Sequence, residues 1–410
     1  MWKKVLSLFS GCGGMDLGFE GSFQCLTKEI NTELHPDWIA HSDGDTCLLK
    51  ETGFTTVFAN DIREDAMTVW TDFFSNRHPD ADNIYHLKSV VDLVKEAKNG
   101  NTVFPENIDV VIGGFPCNDF SVAGKRLGFN SDKSHTGKRL DVDEPTVENR
   151  GQLYMWMREV ISIVKPNLFI AENVKGLVNL GDVKEVIEKD FAEAADGGYL
   201  VIPAKVLYAP DYGVPQSRER VIFFGFKKSQ LRKRALVELS KELISQKYDP
   251  YPIKTHGPEL HPYVSCADAF INLVEPEQTD DSAQKQYSKA KYLGSHCQGQ
   301  TEINLNKVGP TIRAEHHGNI EFRRLSEEHG GKNIVELQNG LPERRLTVRE
   351  CARLQTFPDN FRFVLDKKES AQPVSGSSAY RLIGNAVPPL LAYHIAMRIQ
   401  ENWELYFQRK

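Results

Sequence analysis

The stretch KKVLSLFSGCGGMDLGF, residues 3–19, carries the strongest fold signal in the chain. Its apolar run, 5–9, predicts a buried strand, and the glycines within 11–14 predict a tight turn that leads into a helix. A strand, a glycine turn and a helix in this order are typical of the first unit of a parallel α/β sheet.

The same alternation continues along the chain. Further strands are predicted at 54–62, 108–114, 167–174, 200–209 and 220–226, with helices at 151–165 and 182–194. Strands that alternate with helices predict an α/β fold with a mainly parallel sheet covered on both faces. Binding sites in such sheets form at the carboxyl ends of the strands. Asp61, Cys117, Glu172 and the first glycine turn would all meet at that edge.

Size and composition narrow the function classes. The 410 residues suggest two or three domains, and 40% hydrophobic with 26% charged residues is an ordinary globular composition. No apolar stretch is long enough to span a bilayer, and the N-terminus lacks the pattern of a secretory signal. Seven scattered cysteines without a CxxC pair argue against a disulfide framework and a zinc site, so we expect a cytoplasmic protein.

The second half of the chain shows fewer regular strand and helix patterns than the first half. A charged helix is predicted over 227–247, and the irregular stretch that follows, up to 343, predicts a separate loop-rich domain. Regular signals return at 347–358, a short helix stopped by Pro358, and at 384–403, where a glycine–proline turn leads into an amphipathic helix. Two more segments are predicted to be loops or insertions, 22–50 and 122–150.

The glycine turn suggests a nucleotide-like ligand without matching a standard fingerprint. Asp16 stands where the third glycine of a dinucleotide-binding motif would fall, and no GK[ST] follows that would make a P-loop. A plain strand-to-helix turn is an equally good interpretation of the glycines alone. Asp61, at the end of the second strand, could accept hydrogen bonds from ribose hydroxyls, although a lone Asp after a strand is more often a turn residue.

The stretch GGFPCNDFS, residues 113–121, places Cys117 after the third strand. A single free cysteine is usually a small buried apolar residue. Here Pro116 restricts the backbone and the polar Asn118 and Asp119 favour an exposed turn. A thiol on such a turn beside a cofactor site is a candidate nucleophile.

Two further patterns place charged groups near the same edge. Glu172, in AENV, would be partly desolvated, which raises a carboxyl pKa and makes a proton donor; a helix N-cap or an ion pair is the alternative. Arg218 and Arg220, in PQSRERV, would project to one side of a strand and could hold a phosphate or a base carbonyl. A solvated arginine pair is the alternative for these two residues.

Seven motifs in order resemble those of DNA (cytosine-5)-methyltransferases of the bacterial restriction–modification type. They are FSGCGG, NDI, GGFPCNDFS, ENV, QSRER, RLTVRECARLQTFP and GNAVPP. The resemblance covers residues 5 to about 230 and about 344 to 395. It implies a Rossmann-like sheet that binds S-adenosylmethionine, formed by 1–226 and 344–410, with the last helix beside the first strand. A smaller, loop-rich target-recognition domain would occupy 227–343.

The resemblance also implies a mechanism. The Cys117 thiolate would add to carbon-6 of cytosine and make carbon-5 nucleophilic, and Glu172 would hydrogen-bond the ring nitrogen and exocyclic amine. Arg218 and Arg220 would hold the base carbonyl, a phosphate or Glu172. The substrate would be double-stranded DNA with the target base flipped out. We expect a monomer that needs no metal and does not bind membranes, whose cognate restriction endonuclease would act separately.

The resemblance assigns two groups of binding residues. The cofactor residues, which would bind S-adenosylmethionine and leave S-adenosylhomocysteine as product, are Phe9, Gly11, Cys12, Gly13, Gly14, Asp61, Ile62, Ser89, Val90, Pro116, Leu153, Asn385 and Val387. The DNA contacts are Ser121, Lys125, Arg126, Thr311 and Arg313. Further candidates to read bases are His316, His317, Arg323 and Arg324, and candidates to face phosphates are Lys227, Lys228, Arg232, Lys233 and Arg234.

The chain departs from the family pattern at two points. Asn118 replaces the usual Gln after the catalytic cysteine, and Ser89 and Val90 stand where an acid would contact the adenine amino group. Three other functions compete with DNA methylation: an RNA-acting relative, a non-catalytic member that binds DNA or a partner, and a nicotinamide-dependent dehydrogenase. The long region between QSRER and RLTVREC favours a dedicated DNA reader.

Overall fold

The computed structural model describes residues 2–116, 153–314 and 319–408. The strands are β1 (Lys3–Leu8), β2 (Gln24–Leu26), β3 (Ile39–Asp43), β4 (Thr46–Leu49), β5 (Phe54–Asp61), β6 (Tyr85–Leu87), β7 (Val110–Gly114), β8 (Leu168–Val174), β9 (Tyr199–Tyr208), β10 (Glu219–Lys227), β11 (Phe322–Arg324) and β12 (Arg344–Arg345). The helices are α1 (Gly14–Glu20), α2 (Glu64–Phe74), α3 (Ala81–Ile84), α4 (Val90–Lys98), α5 (Leu153–Val164), α6 (Val183–Ala192), α7 (Lys233–Leu239), α8 (Cys266–Ala269), α9 (Ser282–Lys285), α10 (Ile334–Gln338), α11 (Val348–Leu354), α12 (Gly376–Asn385) and α13 (Pro389–Tyr406).

The central sheet has seven strands in the order β6-β5-β1-β7-β8-β10-β9. β6, β5, β1, β7 and β8 pair in parallel, whereas β10 runs antiparallel to both of its neighbours, β8 and β9. The chain starts at β1 and winds outward in both directions, so loops diverge at the carboxyl end of this strand. The prediction of an α/β fold with a mainly parallel sheet is confirmed.

Apolar side chains cover both faces of the sheet. Val5 and Leu6 are fully buried neighbours in β1, yet they pack into two different apolar clusters. Successive residues of a strand point to opposite faces, so a strand buried on both sides must be apolar throughout. This explains the largely apolar sequences of β1, which only the buried Ser7 interrupts after Val5, of β7, and of residues 168–171 in β8. One cluster includes side chains of α1, α2 and α13, and the other those of α4, α5 and α6.

The C-terminal helix returns to the start of the chain. α13 packs mainly against α1, where a Cβ atom on Gly18 would lie 2.4 Å from the Cβ atom of Ala392. Only glycine allows the two helices to approach this closely. α13 also reaches β1 near its end, where the ammonium group of Lys3 lies 5.1 Å from the ring centre of Trp403. The predicted contact between the last helix and the first strand is therefore present but small, and α13 packs mainly against α1.

Two predictions about local structure were wrong, and one helix was missed. Segment 22–50 contains a small antiparallel sheet of β2, β4 and β3, with Trp38 packed edge-on against Tyr393 at 5.2 Å. The helix predicted over 227–247 is limited to α7, because the residues before it pair with the chain end through the N–H of Arg232 and the carbonyl of Tyr406. Helix α12 was not predicted, because no structure was assigned to residues 376–383. Segment 122–150 lies outside the described residues.

The helix predicted at 347–358 is confirmed as α11. The Thr347 hydroxyl accepts a hydrogen bond from the N–H of Glu350, and the Glu350 carboxylate accepts one from the N–H of Thr347. The two bonds form a capping box that gives partners to the free N–H groups at the start of the helix. Among the described helices, none combines the length and apolar character that crossing a membrane requires.

Candidate active site

A cavity of about 800 Å³ opens at the carboxyl ends of β1, β5, β7 and β8. Most of the residues that the sequence assigned to cofactor, base or DNA line it. These are Phe9, Gly11, Cys12, Gly14, Asp61, Ile62, Ser89, Val90, Pro116, Leu153, Glu172, Arg220, Thr311, Arg313, Asn385 and Val387. They come from segments far apart in the chain, and the parallel sheet brings them to one edge.

The glycine turn after β1 shapes one wall of the cavity. Gly11 has φ +54°, and a Cβ atom there would meet no atom of the described residues within 4 Å, so in that part of the chain this position faces open space. Gly13 has φ +88° and lies on the other side of the turn, where a Cβ atom would come 2.5 Å from Cδ1 of Trp70. Of the predicted cofactor residues, Gly13 therefore serves packing, because it lets the indole of Trp70 lie beneath the turn.

Asp16 anchors the same turn from below. Nε1 of Trp70 donates to Oδ2 of Asp16 at 2.7 Å, and the carboxyl is fully buried. Burial raises the pKa of Asp16 to about 7, against the hydrogen bonds from Ser7 and Trp70 that lower it. The residue that breaks the dinucleotide fingerprint is thus a structural contact between α1 and α2.

Asp61 joins the end of β5 to the glycine turn. Its Oδ2 accepts the N–H of Gly11 at 3.0 Å, and its Oδ1 accepts the N–H groups of Ile62 at 2.7 Å and Arg63 at 3.0 Å. Burial raises the pKa of Asp61, and these backbone donors act against that rise. Three of the roughly four acceptor positions of a carboxylate are used, which leaves Oδ2 free to accept one more donor.

Glu172 and Arg220 form an ion pair inside the cavity. The distance from Nε of Arg220 to Oε1 of Glu172 is 2.7 Å, and only 7% of Glu172 is exposed. Burial raises the pKa of Glu172, whereas the charges of Arg220 and Arg218 lower it. Gly114 lies opposite Glu172 in the sheet, and a Cβ atom at that position would be 2.6 Å from Oε2 of Glu172.

The two arginines of the QSRER motif have different surroundings. Arg218 precedes β10, is 1% exposed and does not line the cavity. Its Nη2 donates to the carbonyls of Gly384 at 2.9 Å and Ala386 at 2.8 Å. We expected both guanidinium groups to point to one site; instead Arg218 holds the backbone on either side of Asn385, and Arg220 contacts Glu172.

Thr311 and Arg313 reach the cavity from the loop-rich region. The hydroxyl of Thr311 donates to the carbonyl of Ser217, and Nη1 of Arg313 lies 2.6 Å from Oε1 of the buried Glu321. The N–H of Ser217 donates to the carbonyl of Gly309 at 2.8 Å. These bonds fasten the segment that carries Thr311 and Arg313 to the entry of β10.

Other cavity residues were missed by the sequence analysis. They are Ser7, Leu8, Ser10, Met15, Asn60, Arg63, Gly114, Phe115, Val174, Ile312, Ala314, Arg381, Leu382, Gly384 and Ala386. Most of them are neighbours in sequence of a residue that was assigned to the site, so each motif contributes more residues to the cavity than the sequence analysis included. Arg381 is different, because it lies on α12, which was not predicted as a helix.

Some predicted site residues cannot be placed, and others have different roles. Cys117, Ser121, Lys125, Arg126, His316 and His317 lie outside the described residues. Arg324 was a candidate to read bases, but it is fully buried, 2.7 Å from both Glu275 and Glu336. Arg323 pairs with Glu336, also at 2.7 Å. A guanidinium that is itself fully buried and held by two carboxylates cannot reach a base edge, so the interpretation of Arg324 as a base reader was wrong.

The residues predicted to face DNA phosphates lie at the end of β10 and at the start of α7, and not at the cavity. Arg232, Lys233 and Arg234 are exposed at the start of α7, where Nε of Arg232 donates to the carbonyl of Phe407 at 2.9 Å. Lys227 ends β10, and Lys228 follows it. None of these five residues lines the cavity.

The chain is similar to one protein family over most of its length. The family model described as C-5 cytosine-specific DNA methylase matches residues 36–401. The chain is 33% identical to Type II methyltransferase M.BsuRI of Bacillus subtilis, over 98% of this chain and 80% of that protein. It is 32% identical to Type II methyltransferase M.BspRI of Lysinibacillus sphaericus, over 97% of this chain and 81% of that protein.

Solved structures share the fold. The Dnmt2 methyltransferase of S. pombe superposes with a TM-score of 0.55 at 16% identity, covering 97% of this chain and 99% of that one. A protein described as a putative DNA modification methyltransferase encoded within an E. coli prophage superposes with a TM-score of 0.52 at 21% identity, covering 98% and 99%.

Proposed function

The chain belongs to the C-5 cytosine-specific DNA methylases, and from this premise we propose that it transfers a methyl group from S-adenosylmethionine to carbon-5 of a flipped-out cytosine. The observation that carries the proposal is that Glu172, paired with Arg220, shares one cavity with the residues assigned to the cofactor. A base and a methyl donor bound there would lie side by side.

The residues of the cavity fit this cofactor. Oδ2 of Asp61 has capacity for one ribose hydroxyl, and the open space beside Gly11 admits a ligand close to the backbone. Ile62, 46% exposed, and Val90 offer apolar surface for a flat ring. When bound, S-adenosylmethionine supplies an electrophilic methyl group on its sulfonium. Asn385, held by Arg218 through the flanking carbonyls, would close the pocket from the C-terminal side.

The protein side of the reaction begins with a thiolate. Carbon-5 of cytosine is a poor nucleophile, and addition of the Cys117 thiolate to carbon-6 would give carbon-5 enamine character. Cys117 follows Pro116, which lines the cavity. Glu172 would donate to the ring nitrogen and accept from the exocyclic amine, which offsets the charge that develops as the adduct forms. Carbon-5 would then take up the methyl group, and loss of the carbon-5 proton would break the bond between carbon-6 and sulfur and release the Cys117 thiolate.

A stacked base cannot reach this cavity, so the cytosine must leave the duplex at a cost of a few kcal/mol. We propose that Thr311 and Arg313 contact the DNA beside the flipped base, because both reach the cavity from the loop-rich region. We further propose that residues 227–343 select the DNA sequence and that the enzyme works as a monomer on DNA in a bacterial cytoplasm. A cognate restriction endonuclease would act separately, as the names of the Type II relatives suggest.

Duplex DNA containing 5-fluorocytosine tests the covalent step. Because fluorine cannot leave as a proton does, we expect a stable protein–DNA adduct that maps to the peptide with Cys117, only when S-adenosylmethionine is present. Cys297→Ser, which changes a half-buried thiol, serves as the matched control and should still be trapped. Absence of the adduct from the wild-type protein under conditions of DNA binding would overturn the mechanism.

Two measurements separate the competing functions. Transfer of labelled methyl groups to duplex DNA but not to tRNA supports DNA as the substrate, and the reverse supports the RNA-acting alternative. Stabilisation by S-adenosylhomocysteine but not by NAD in a thermal-shift assay argues against a dehydrogenase, since a ligand at 100 times its Kd stabilises by about 2.7 kcal/mol. DNA binding without methyl transfer would indicate a non-catalytic member.

A further inference from the structure

Cys25 and Cys47 face each other in the small antiparallel sheet near the N-terminus. The register pairs Cys25 of β2 directly with Cys47 of β4, and their Sγ atoms lie 3.6 Å apart. Both side chains are buried, with 8% and 2% of each residue exposed. Neither residue lines the cavity, so the methylation chemistry does not account for this thiol pair.

The backbone around the pair suits a disulfide. The N–H of Leu49 donates to the carbonyl of Phe23, and the N–H of Thr27 donates to the carbonyl of Asp45, two residues to either side of the pair. Hydrogen-bonded pairs recur every second residue, so Cys25 and Cys47 fall in the hydrogen-bonded class, with Cα atoms about 5.5 Å apart. This lies within the range of about 4.4–6.8 Å found for disulfides. The sulfur atoms, and not the strands, would have to move.

The two thiols differ in acidity. The hydrogen bond that it shares with Cys25 lowers the pKa of Cys47, and a hydrogen bond with Thr27 acts in the same direction against burial. The same bond and burial raise the pKa of Cys25 well above its usual value. Cys47 is therefore the nucleophilic member of the pair, because the thiolate is the reactive form.

We propose that Cys25 and Cys47 are a redox modification site that closes to a disulfide when the protein meets a peroxide. The Cys47 thiolate attacks one peroxide oxygen and becomes a sulfenic acid, and the leaving hydroxide takes up a proton to form water. The sulfur of Cys25 then attacks the sulfenic sulfur, and a second water leaves. Two thiols and one hydrogen peroxide thus give one disulfide and two waters.

The segment between Cys25 and Cys47 contacts both the loop-rich region and the C-terminal helix α13. Lys28 pairs with Asp268 at 2.6 Å, Nδ2 of Asn31 donates to the carbonyl of Thr255 at 2.9 Å, and Trp38 packs against α13. A disulfide would close the chain around residues 26–46 and reduce the freedom of the unfolded state. Oxidation should therefore raise the melting temperature, and a reductant should reverse the rise.

The test uses the wild-type protein with an equimolar amount of hydrogen peroxide, followed by alkylation of free thiols and tryptic digestion without reductant. We expect peptides 5–28 and 29–50 to be joined with the loss of two hydrogen atoms. Peptide 5–28 also contains Cys12, so fragmentation must place the bond on Cys25. Cys25→Ala and Cys47→Ala should each abolish the joined peptide, and Cys266→Ala, which removes another buried thiol, should retain it.

Two results would overturn the proposal. One is recovery of both cysteines in alkylated form after peroxide treatment, and the other is a joined peptide whose bond maps to Cys12. The melting temperature provides a second measurement, because the rise on oxidation must be absent from Cys25→Ala and Cys47→Ala but present in Cys266→Ala.

Discussion

Glu172 and Arg220 face each other diagonally across two antiparallel strands, with Nε of Arg220 2.7 Å from Oε1 of Glu172. Glu172 of β8 pairs with Ile222 of β10, two residues beyond Arg220, so the two side chains lie on the same face of the sheet. Burial raises the pKa of Glu172 and Arg220 lowers it. The ion pair with Arg220 therefore favours the ionised form of the Glu172 carboxyl.

Removal of Arg220 should change both the rate and its pH dependence. In Arg220→Ala the pKa of Glu172 rises further, because burial is no longer opposed by the adjacent charge. If protonated Glu172 is the donor, the high-pH limb of kcat/KM moves to higher pH, while kcat/KM falls about 10²-fold or more through the lost positioning. Methyl transfer to a duplex oligonucleotide across pH checks this.

The matched control for Arg220 is Lys241→Ala, which removes a cation from an exposed pair with Glu238 on the surface. It should leave the profile unchanged. A high-pH limb at the same position in Arg220→Ala and in the wild type would contradict the assigned role of Glu172.

Methyl transfer should require glycine at position 114, because the Glu172 carboxylate occupies the space that a side chain would need. In Gly114→Ala the new Cβ atom would lie 2.6 Å from Oε2 of Glu172, so the carboxylate must shift and methyl transfer should fall by at least about 10-fold. The free energy of unfolding should fall in the wild-type background but not in Glu172→Ala, where the clash has no partner. Equal destabilisation in both backgrounds, measured by urea unfolding, would rule out this explanation.

Arg218 should act on cofactor affinity through the backbone. Its Nη2 binds the carbonyls of Gly384 and Ala386, so Arg218→Lys loses the fork that holds Asn385. We expect the Kd of S-adenosylhomocysteine, measured by calorimetry, to rise about 10-fold, the equivalent of about 1.4 kcal/mol. kcat at saturating cofactor should fall less.

Arg398→Lys is the matched control for Arg218, because Nε of Arg398 also donates to a backbone carbonyl, that of Asp249, but away from the cavity. Its cofactor affinity should equal that of the wild type. An unchanged Kd with a large loss of kcat in Arg218→Lys would instead make Arg218 a catalytic residue.

The ion network around Glu275 should make stability depend on pH. Burial raises the pKa of Glu275, but hydrogen bonds from Arg324 and Arg344 outweigh it and lower the pKa to about 2. Because the folded pKa lies below the unfolded value of 4.5, the stabilisation is complete above that value and is lost as pH falls toward 2. Glu275→Gln should lack this dependence.

At neutral pH, Glu275→Gln should destabilise the fold by about 2 kcal/mol, less than a fully buried pair because Glu275 is partly exposed. Urea unfolding at neutral and acidic pH measures both effects, and the difference from wild type should shrink in acid. Asp280→Asn, in an exposed pair with Lys285, should behave as wild type at both pH values. A constant difference between Glu275→Gln and wild type would refute the assignment.

Much of the sheet and the cofactor edge could be predicted because their signals are local. β1, β7 and β8 are largely apolar and β5 mixes apolar with polar residues, and each of these strands ends in a residue that carries chemistry or precedes one. Parallel strands place such ends at one edge whatever lies between them. The resemblance added Asn385 and Val387, whose arrival at that edge depends on the return of α13 to α1.

The amino-acid sequence by itself determined the α/β class and the strand ends and supplied the candidates for the reactive groups, because hydrophobic period and turn residues act over a few neighbours. Only the tertiary structure decided which arginine meets Glu172, which one holds the segment around Asn385, and that Arg324 is buried. The partners of Arg218 lie 166 and 168 residues away, and the carboxylate of Glu275 is 49 residues from Arg324. A long charged side chain is placed by whichever carbonyl or carboxylate the folded chain brings within reach, and no local pattern encodes that partner.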